Sequence, residues 1–392
     1  MSTMNRLFQL MADKRASDIF LSVGSPINIK INGVALPINQ QALDANTIQS
    51  LLQEIIDDKQ QREFENTLEL NTAYTLQGVG SFRISAFRQK GSPAVVVRYI
   101  PSNIPPLDSL GLPPVLKDLI LEKRGLILMV GATGAGKSTT LAAMLDFRNE
   151  NRTGHILTLE NPVEFIFQNK KSIVNQREVG TDTLDMKVGL MNALRQAPDC
   201  IMIGEVRDKD TMTSAIQYAQ SGHLCLATLH ANNSYHAMNR IISFYPLESR
   251  ASLLQDLSAT LKCVISQRLV KNIKGARSAA VEVMLNSRYM AELIEKGEIS
   301  EMKEAMEKAL TAGSQTFEQS LFKMIRDGTI TQEEALTNAD SANNLLWLIN
   351  NTEAGAEMAA GKNPSSETRP GDAGPASSYS AFKLDVNETE RV

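Results

Sequence analysis

Apolar and polar positions change rhythm three times along the chain. In the first hundred residues, Leu7, Leu10 and Met11 recur at helical spacing until Ser17 and Asp18 interrupt them. Ile27, Ile29 and Ile31 then alternate with Asn28 and Lys30, and Val34, Leu36 and Ile38 alternate beyond Asn32-Gly33. Asn-Gly tolerates the positive φ angles of a type I′ turn, so this segment predicts a hairpin. A polar helical stretch over 48–64 follows. Two strand candidates, 81–88 and 94–100, flank a Lys90-Gly91-Ser92 turn. Residues 1–100 thus read as a small α+β unit.

The second rhythm is a break. Pro101, Pro105, Pro106, Pro113 and Pro114 crowd one short stretch, and proline fixes φ and lacks a donor, so 101–114 predicts an extended linker. Beyond it come short apolar runs without alternation: Gly125–Val130, 155–159, Cys200–Ile203 and Leu224–Leu229. Strands covered on both faces read this way, as in a parallel α/β sheet. The region 290–348 reads as mostly helical, which closes a second unit over 115–350. After Asn351 large apolar residues thin out among Gly, Ser, Pro, Glu and Ala, so 351–392 predicts a disordered tail.

Composition narrows the class. The 392 residues are 43% hydrophobic and 21% charged, as in an ordinary globular protein, with a net charge of −4. A mildly acidic chain with 5% aromatic residues argues against broad attraction to nucleic acid, and no nucleic-acid partner is expected. The apolar runs are too short to cross a bilayer, and the N-terminus lacks a signal-peptide core. Cys200, Cys225 and Cys263 are odd in number and far apart, so they predict small buried hydrophobes in a reducing, cytoplasmic compartment.

One segment carries strong chemistry. Gly131, Ala132, Thr133, Gly134, Ala135, Gly136, Lys137, Ser138 and Thr139 fit G-x-x-x-x-G-K-[ST], between an apolar strand and a helix-favouring run. The glycines let backbone N–H groups converge on phosphate oxygens at a helix N-terminus. Lys137 is placed for the β- and γ-phosphates of ATP and Ser138 for Mg²⁺. Such an enzyme also needs a carboxylate near the metal and a group that positions water. Two apolar runs downstream end in acids: Glu160-Asn-Pro-Val-Glu164 and Gly204-Glu205-Val-Arg-Asp208.

These residues resemble the boxes of the secretion and pilus motor ATPases: Walker A, an Asp box, an atypical Walker B built on Gly-Glu, and a His box, here Gly222-His223-Leu-Cys-Leu-Ala-Thr-Leu229-His230. Thr-Gly-Ala-Gly-Lys-Ser-Thr-Thr-Leu, Gly-Glu-Val-Arg-Asp and Thr-Leu-His look like the PilT/PilU-type retraction branch, nearer its PilU side. Three features depart from the PilT pattern. Asn161 stands where the family usually has Asp, Tyr289-Met-Ala-Glu-Leu-Ile294 replaces Ala-Ile-Arg-Asn-Leu-Ile, and the tail is long.

The resemblance implies a RecA-like P-loop ATPase core with a mostly parallel sheet, a smaller PAS-like α+β domain before it and helices after it. It implies Glu164 as the glutamate that polarises water and Glu205 as the Walker B acid that holds Mg²⁺ through water. His223 and His230 bracket one strand and are implied as sensors of the γ-phosphate, whereas His155 and His236 read as structural. Arg83 and Arg98 lie in apolar strands of the first unit. They match the arginines that such rings lend to a neighbour's nucleotide, and Arg88 is a weaker candidate. The implied assembly is a homo-hexamer that turns a PilC-like inner-membrane platform protein, alone or beside a PilT-type ring, to retract type IV pili in twitching motility. Three other readings stay open: a pilus or secretion assembly ATPase, a RecA-like nucleic-acid motor, and a nucleotide-binding accessory subunit. The assembly branch usually carries a tetracysteine motif, which this chain lacks.

Overall fold

The computed structural model describes residues 2–31, 33–100, 104–308 and 311–359. Asn32 of the expected turn, the first three residues of the expected linker and the tail beyond 359 lie outside the described residues.

Strands β1 (Asp18–Leu21), β2 (Asn28–Ile31), β3 (Val34–Pro37), β4 (Glu69–Leu76), β5 (Gly80–Gln89) and β6 (Ser92–Ile100) form an antiparallel sheet in the order β3-β2-β1-β6-β5-β4. Register explains its two faces. Ile29, Ile19, Val97 and Ile84 lie opposite one another across four strands, so their side chains share one face. The helices Thr3–Lys14, Ala45–Gln53 and Asp58–Thr67 cover that face with Met4, Phe8, Ile48, Leu52 and Phe64. Phe8 stacks on Phe82 at 4.1 Å between ring centroids. The other face carries Lys30, Asp18, Arg98 and Arg83 in the same register row.

Several details differ from the sequence reading. The polar stretch over 48–64 is two helices, because Asp57 and Gln60 form a capping box that starts the second. β1 has only four residues and β4 mixes Asn and Thr with its apolar positions, so neither produced a clear period-two signal. All four residues of β3 are exposed, which leaves Val34 and Leu36 outside the core.

The second sheet contains β7 (Gly125–Val130), β8 (Gly154–Glu160), β9 (Ser172–Glu178), β10 (Cys200–Ile203), β11 (Leu224–Leu229), β12 (Leu261–Lys271) and β13 (Arg277–Leu285). Its order is β13-β12-β7-β11-β10-β8-β9, parallel throughout except for β13 at one edge. The continuous apolar runs now have a cause. Leu126, Leu128 and Val130 pack with Met212, Ala215 and Ile216 of the helix Lys209–Gln220. Ile127 and Met129 pack on the other face with Leu141, Met144 and Leu145 of the helix Lys137–Asn151. Every β7 side chain is therefore buried, and the sheet is an α/β P-loop core. β9 was not legible as a strand because its sequence is half polar, as suits an edge.

The linker is not wholly extended. Leu107–Leu110 forms a 3-10 turn, and Leu107 is buried with Leu116 and Leu119 on the second core. Helices Arg288–Lys296, Met302–Glu307, Phe317–Arg326 and Gln332–Asn338 follow β13. Within 289–294, Met290, Leu293 and Ile294 turn inward while Tyr289 is exposed. The last helix, Ala342–Ala359, runs past the expected start of disorder at 351. All three cysteines are free and buried, and desolvation pushes the Cys200 thiol up to about 12. They are inert packing groups. No helix among the described residues is long and apolar enough to cross a membrane.

Candidate active site

β7 delivers the chain into Gly131, and the helix Lys137–Asn151 begins six residues later. Gly131 (φ +153°) and Gly136 (φ +84°) lie in the half of conformational space where a side chain strains the backbone. Space forbids one as well: a Cβ on Gly131 would stand 2.6 Å from the Gln267 carbonyl oxygen. Gln267, on β12, backs the loop. Its Nε2 donates to the Ala135 carbonyl at 2.8 Å, and its Oε1 accepts from the Thr140 hydroxyl at 2.7 Å. Lys137 Nζ donates to the Gly131 and Ala132 carbonyls at 2.8 and 2.9 Å. Burial pulls its pKa down, while the charges of Glu205 and Glu164 hold it up.

The acids stand at the C-terminal edge of the same sheet, where ligands of parallel α/β folds bind. They are not on strands next to β7, because β11 lies between β7 and β10. The strand ends are stitched together: Gly204 N–H donates to the Leu159 carbonyl and Val206 N–H to the Thr228 carbonyl, both at 2.8 Å, and the Thr228 hydroxyl donates to the Gly204 carbonyl. Glu205 accepts from Arg207 at 2.6 and 2.7 Å and lies 3.4 Å from His230 Nε2. A cleft of about 290 Å³ is lined by Lys137, Ser138, Glu164, Glu205 and His230, together with Thr133, Gly134 and Asn161. Seven residues nominated from sequence, Thr133 and Gly134 included, therefore meet around one space.

The two histidines part company. His230 follows Leu229 and enters the cleft, whereas His223 precedes Leu224, whose register partner is Gly125 at the start of β7. The length of β11 puts them roughly 20 Å apart on opposite edges of the sheet. The expectation that both sense one γ-phosphate is corrected for His223. Its ring nitrogen instead lies 3.2 Å from the Ser221 hydroxyl and 3.3 Å from the Tyr218 carbonyl. His155 meets the Gln196 carbonyl and Asn175, and His236 meets Asn233.

Arg83 and Arg98 are register partners on the charged face of the first sheet. Arg98 bonds Asp18 at 3.0 Å, with its own side chain 62% exposed. Such a pair contributes about 0–1 kcal/mol, too little to lock the guanidinium in place. Burial lowers the Arg83 pKa, and the charges of Glu164 and Glu178 of the same chain raise it. Its Nε is buried without a partner among the described residues. Glu164 and Glu178 are thus the acids of this chain whose charge acts on Arg83. Arg88 covers the ring of Phe64, a member of the first core, at 5.0 Å.

Sequence reading missed Gln267, Gln176, Glu178 and Arg207 as site builders, and named Glu160 only as a strand-end acid. The available signal was a glutamine inside the apolar run Cys-Val-Ile-Ser-Gln-Arg-Leu-Val, where only a partnered amide survives burial. Glu160 is buried, accepts from Thr158 at 2.6 Å, and has its pKa raised by desolvation. For a metal, the described residues hold no cluster of three or more His, Cys, Asp or Glu. Among the hydroxyls and carboxylates that line the cleft, Ser138 and Glu205 offer one of each. That donor set fits Mg²⁺, which keeps waters and binds substrate phosphates.

Known proteins match this arrangement. The family described as "Type II/IV secretion system protein" matches residues 1–287. The type IV pilus ATPase PilU of Pseudomonas aeruginosa is 47% identical over 345 residues, 88% of this chain and 90% of its own length. PilT, the type IV pilus retraction ATPase of the same organism, is 39% identical over 85% of this chain and 97% of its own. A crystal structure of the pilus retraction motor PilT with bound ADP superposes with a TM-score of 0.83 at 35% identity, covering 88% of this chain and 99% of that one. The site geometry, the fold and these likenesses agree: the chain is an ATPase of the Type II/IV secretion system protein family, in its PilT/PilU branch of pilus retraction ATPases.

Proposed function

We propose that this chain is the subunit of a homo-hexameric motor that works at the cytoplasmic face of the inner membrane, turns a PilC-like platform protein and drives type IV pilus retraction. The observation that carries the reading is the convergence of Lys137, Glu164, Glu205 and His230 on one cleft. ATP is the substrate that this loop accommodates. Its phosphates lie along Gly131–Thr139, and a second cleft of about 620 Å³ on the far side of the loop, lined by Leu112, Thr139 and Arg277, takes the nucleoside.

Lys137 gives up its two carbonyl partners for phosphate oxygens, a stronger charge-assisted pairing. Ser138 and Glu205 would hold Mg²⁺, which when bound neutralises charge on the phosphates. Glu164 orients the attacking water, and His230 reports the γ-phosphate to Glu205 at 3.4 Å. Arg83 and Arg98 close on the phosphoryl charge, and their release after hydrolysis moves the first sheet against the second about the 101–114 segment. Six such units couple the cycle to rotation of the platform.

The experiment is deletion of the gene followed by complementation. Deleted cells are expected to keep surface pili and lose twitching, with wild-type but not Lys137→Ala protein restoring it. Cells without pili would instead make this an assembly motor.

A further inference from the structure

Residues 161–168, which carry Glu164, belong to no helix or strand. Side chains from β8 and β9 hold them. Glu178 Oε2 accepts from the Val163 amide at 3.0 Å, and Glu160 Oε2 accepts from the Glu164 amide at 3.4 Å. Gln176 grips at both ends: its Oε1 accepts from the Phe167 amide at 2.9 Å, while its Nε2 donates to the Phe165 carbonyl at 2.7 Å and to Glu160 Oε1 at 3.3 Å. The contact from Glu160 is too long to fix the Glu164 amide alone, so placement falls to Glu178 on the N-terminal side, through Val163, and to the paired bonds of Gln176 on the C-terminal side, through Phe165 and Phe167.

We infer that Gln176 is a positioning residue for hydrolysis, a two-ended clamp that sets where the Glu164 carboxylate stands. The inference rests on the reading of Glu164 as the group that orients water. A primary amide suits the task because it donates and accepts at once with a fixed angle between the two functions. An apolar side chain of the same length fills the space but strands the Phe167 amide and the Phe165 carbonyl. The loop then relaxes toward water, and Glu164 moves with it. A displacement of about 1 Å at a reacting group costs about 10²-fold in rate.

The test measures steady-state hydrolysis and ADP affinity for the full-length protein, Gln176→Met, Gln176→Glu, Glu164→Gln and the pair Gln176→Met with Glu164→Gln. Gln176→Met is expected to lower kcat by about 10²-fold, with KM and ADP affinity unchanged within about twofold. Gln176→Glu keeps the acceptor toward Phe167 and loses the donors, so it falls between Gln176→Met and wild type. It carries the same comparison should the methionine variant fail to fold. In the Glu164→Gln background, Gln176→Met is expected to cost nothing further, since it acts only through that carboxylate. Three results would overturn the inference: kcat within about twofold of wild type for either Gln176 variant, a matching loss of ADP affinity, or a further loss of about tenfold in the Glu164→Gln background. Full turnover by Glu164→Gln itself overturns it too, and distinctly, because the reading of Glu164 falls first.

Discussion

Lys137→Ala is expected to end ATP turnover while leaving the protein folded. The ammonium is a buried cation at the point where phosphate charge develops, and loss of one such stabilising group typically costs about 10²–10³-fold in rate. Here the loss is larger, because ground-state binding of the triphosphate depends on the same group. Stability is spared for a structural reason. The ammonium's partners are carbonyls of the loop itself, which lines the cleft, and water from the cleft replaces the lysine there. Phosphate release and the affinity for a fluorescent ATP analogue should both fall, with the thermal midpoint close to that of wild type. Unchanged hydrolysis would remove the loop from the mechanism.

Glu164→Gln is expected to separate binding from cleavage. The loop is held through the amides of Val163, Glu164 and Phe167 and the Phe165 carbonyl, none of which involves the Glu164 carboxylate. The substitution therefore keeps the loop in place and removes only the group that accepts hydrogen bonds from water. General-base assistance is worth about 10²–10⁴-fold, so kcat should fall by that factor while ATP is still bound. Rapid-quench measurement of bound nucleotide would find ATP, where wild type yields ADP.

Legibility from sequence followed how local the physics was. The loop 131–139 was legible because glycine, lysine and hydroxyl act over consecutive residues. The buried strands β7, β10 and β11 were legible because apolar runs of strand length have few other uses. Where two distant segments must meet, sequence showed less. β12 carries Gln267 to the loop from more than a hundred residues away, and nothing local marks that partnership. His223 and His230 look symmetrical about one strand, yet the direction of that strand places only His230 at the phosphate edge. Arg83 and Arg98 stood out as charges within apolar strands. Their shared face emerged only from the β5–β6 register, and the influence of the Glu164 charge on Arg83 only from the folded chain.

We propose, as the central claim, that one chain supplies the loop, the acids and Arg83 to a single nucleotide, because the charge of its own Glu164 acts on Arg83. Mixing Arg83→Ala subunits with Glu164→Gln subunits measures it most directly, with incorporation of both into the same rings verified by mass. When both groups serve the same chain's nucleotide, every site in a mixed ring carries one defect. The account predicts hydrolysis no higher than the sum of the two variants alone at every mixing ratio. A maximum in activity near equal proportions would mean that the arginine crosses to a neighbour, and would contradict it.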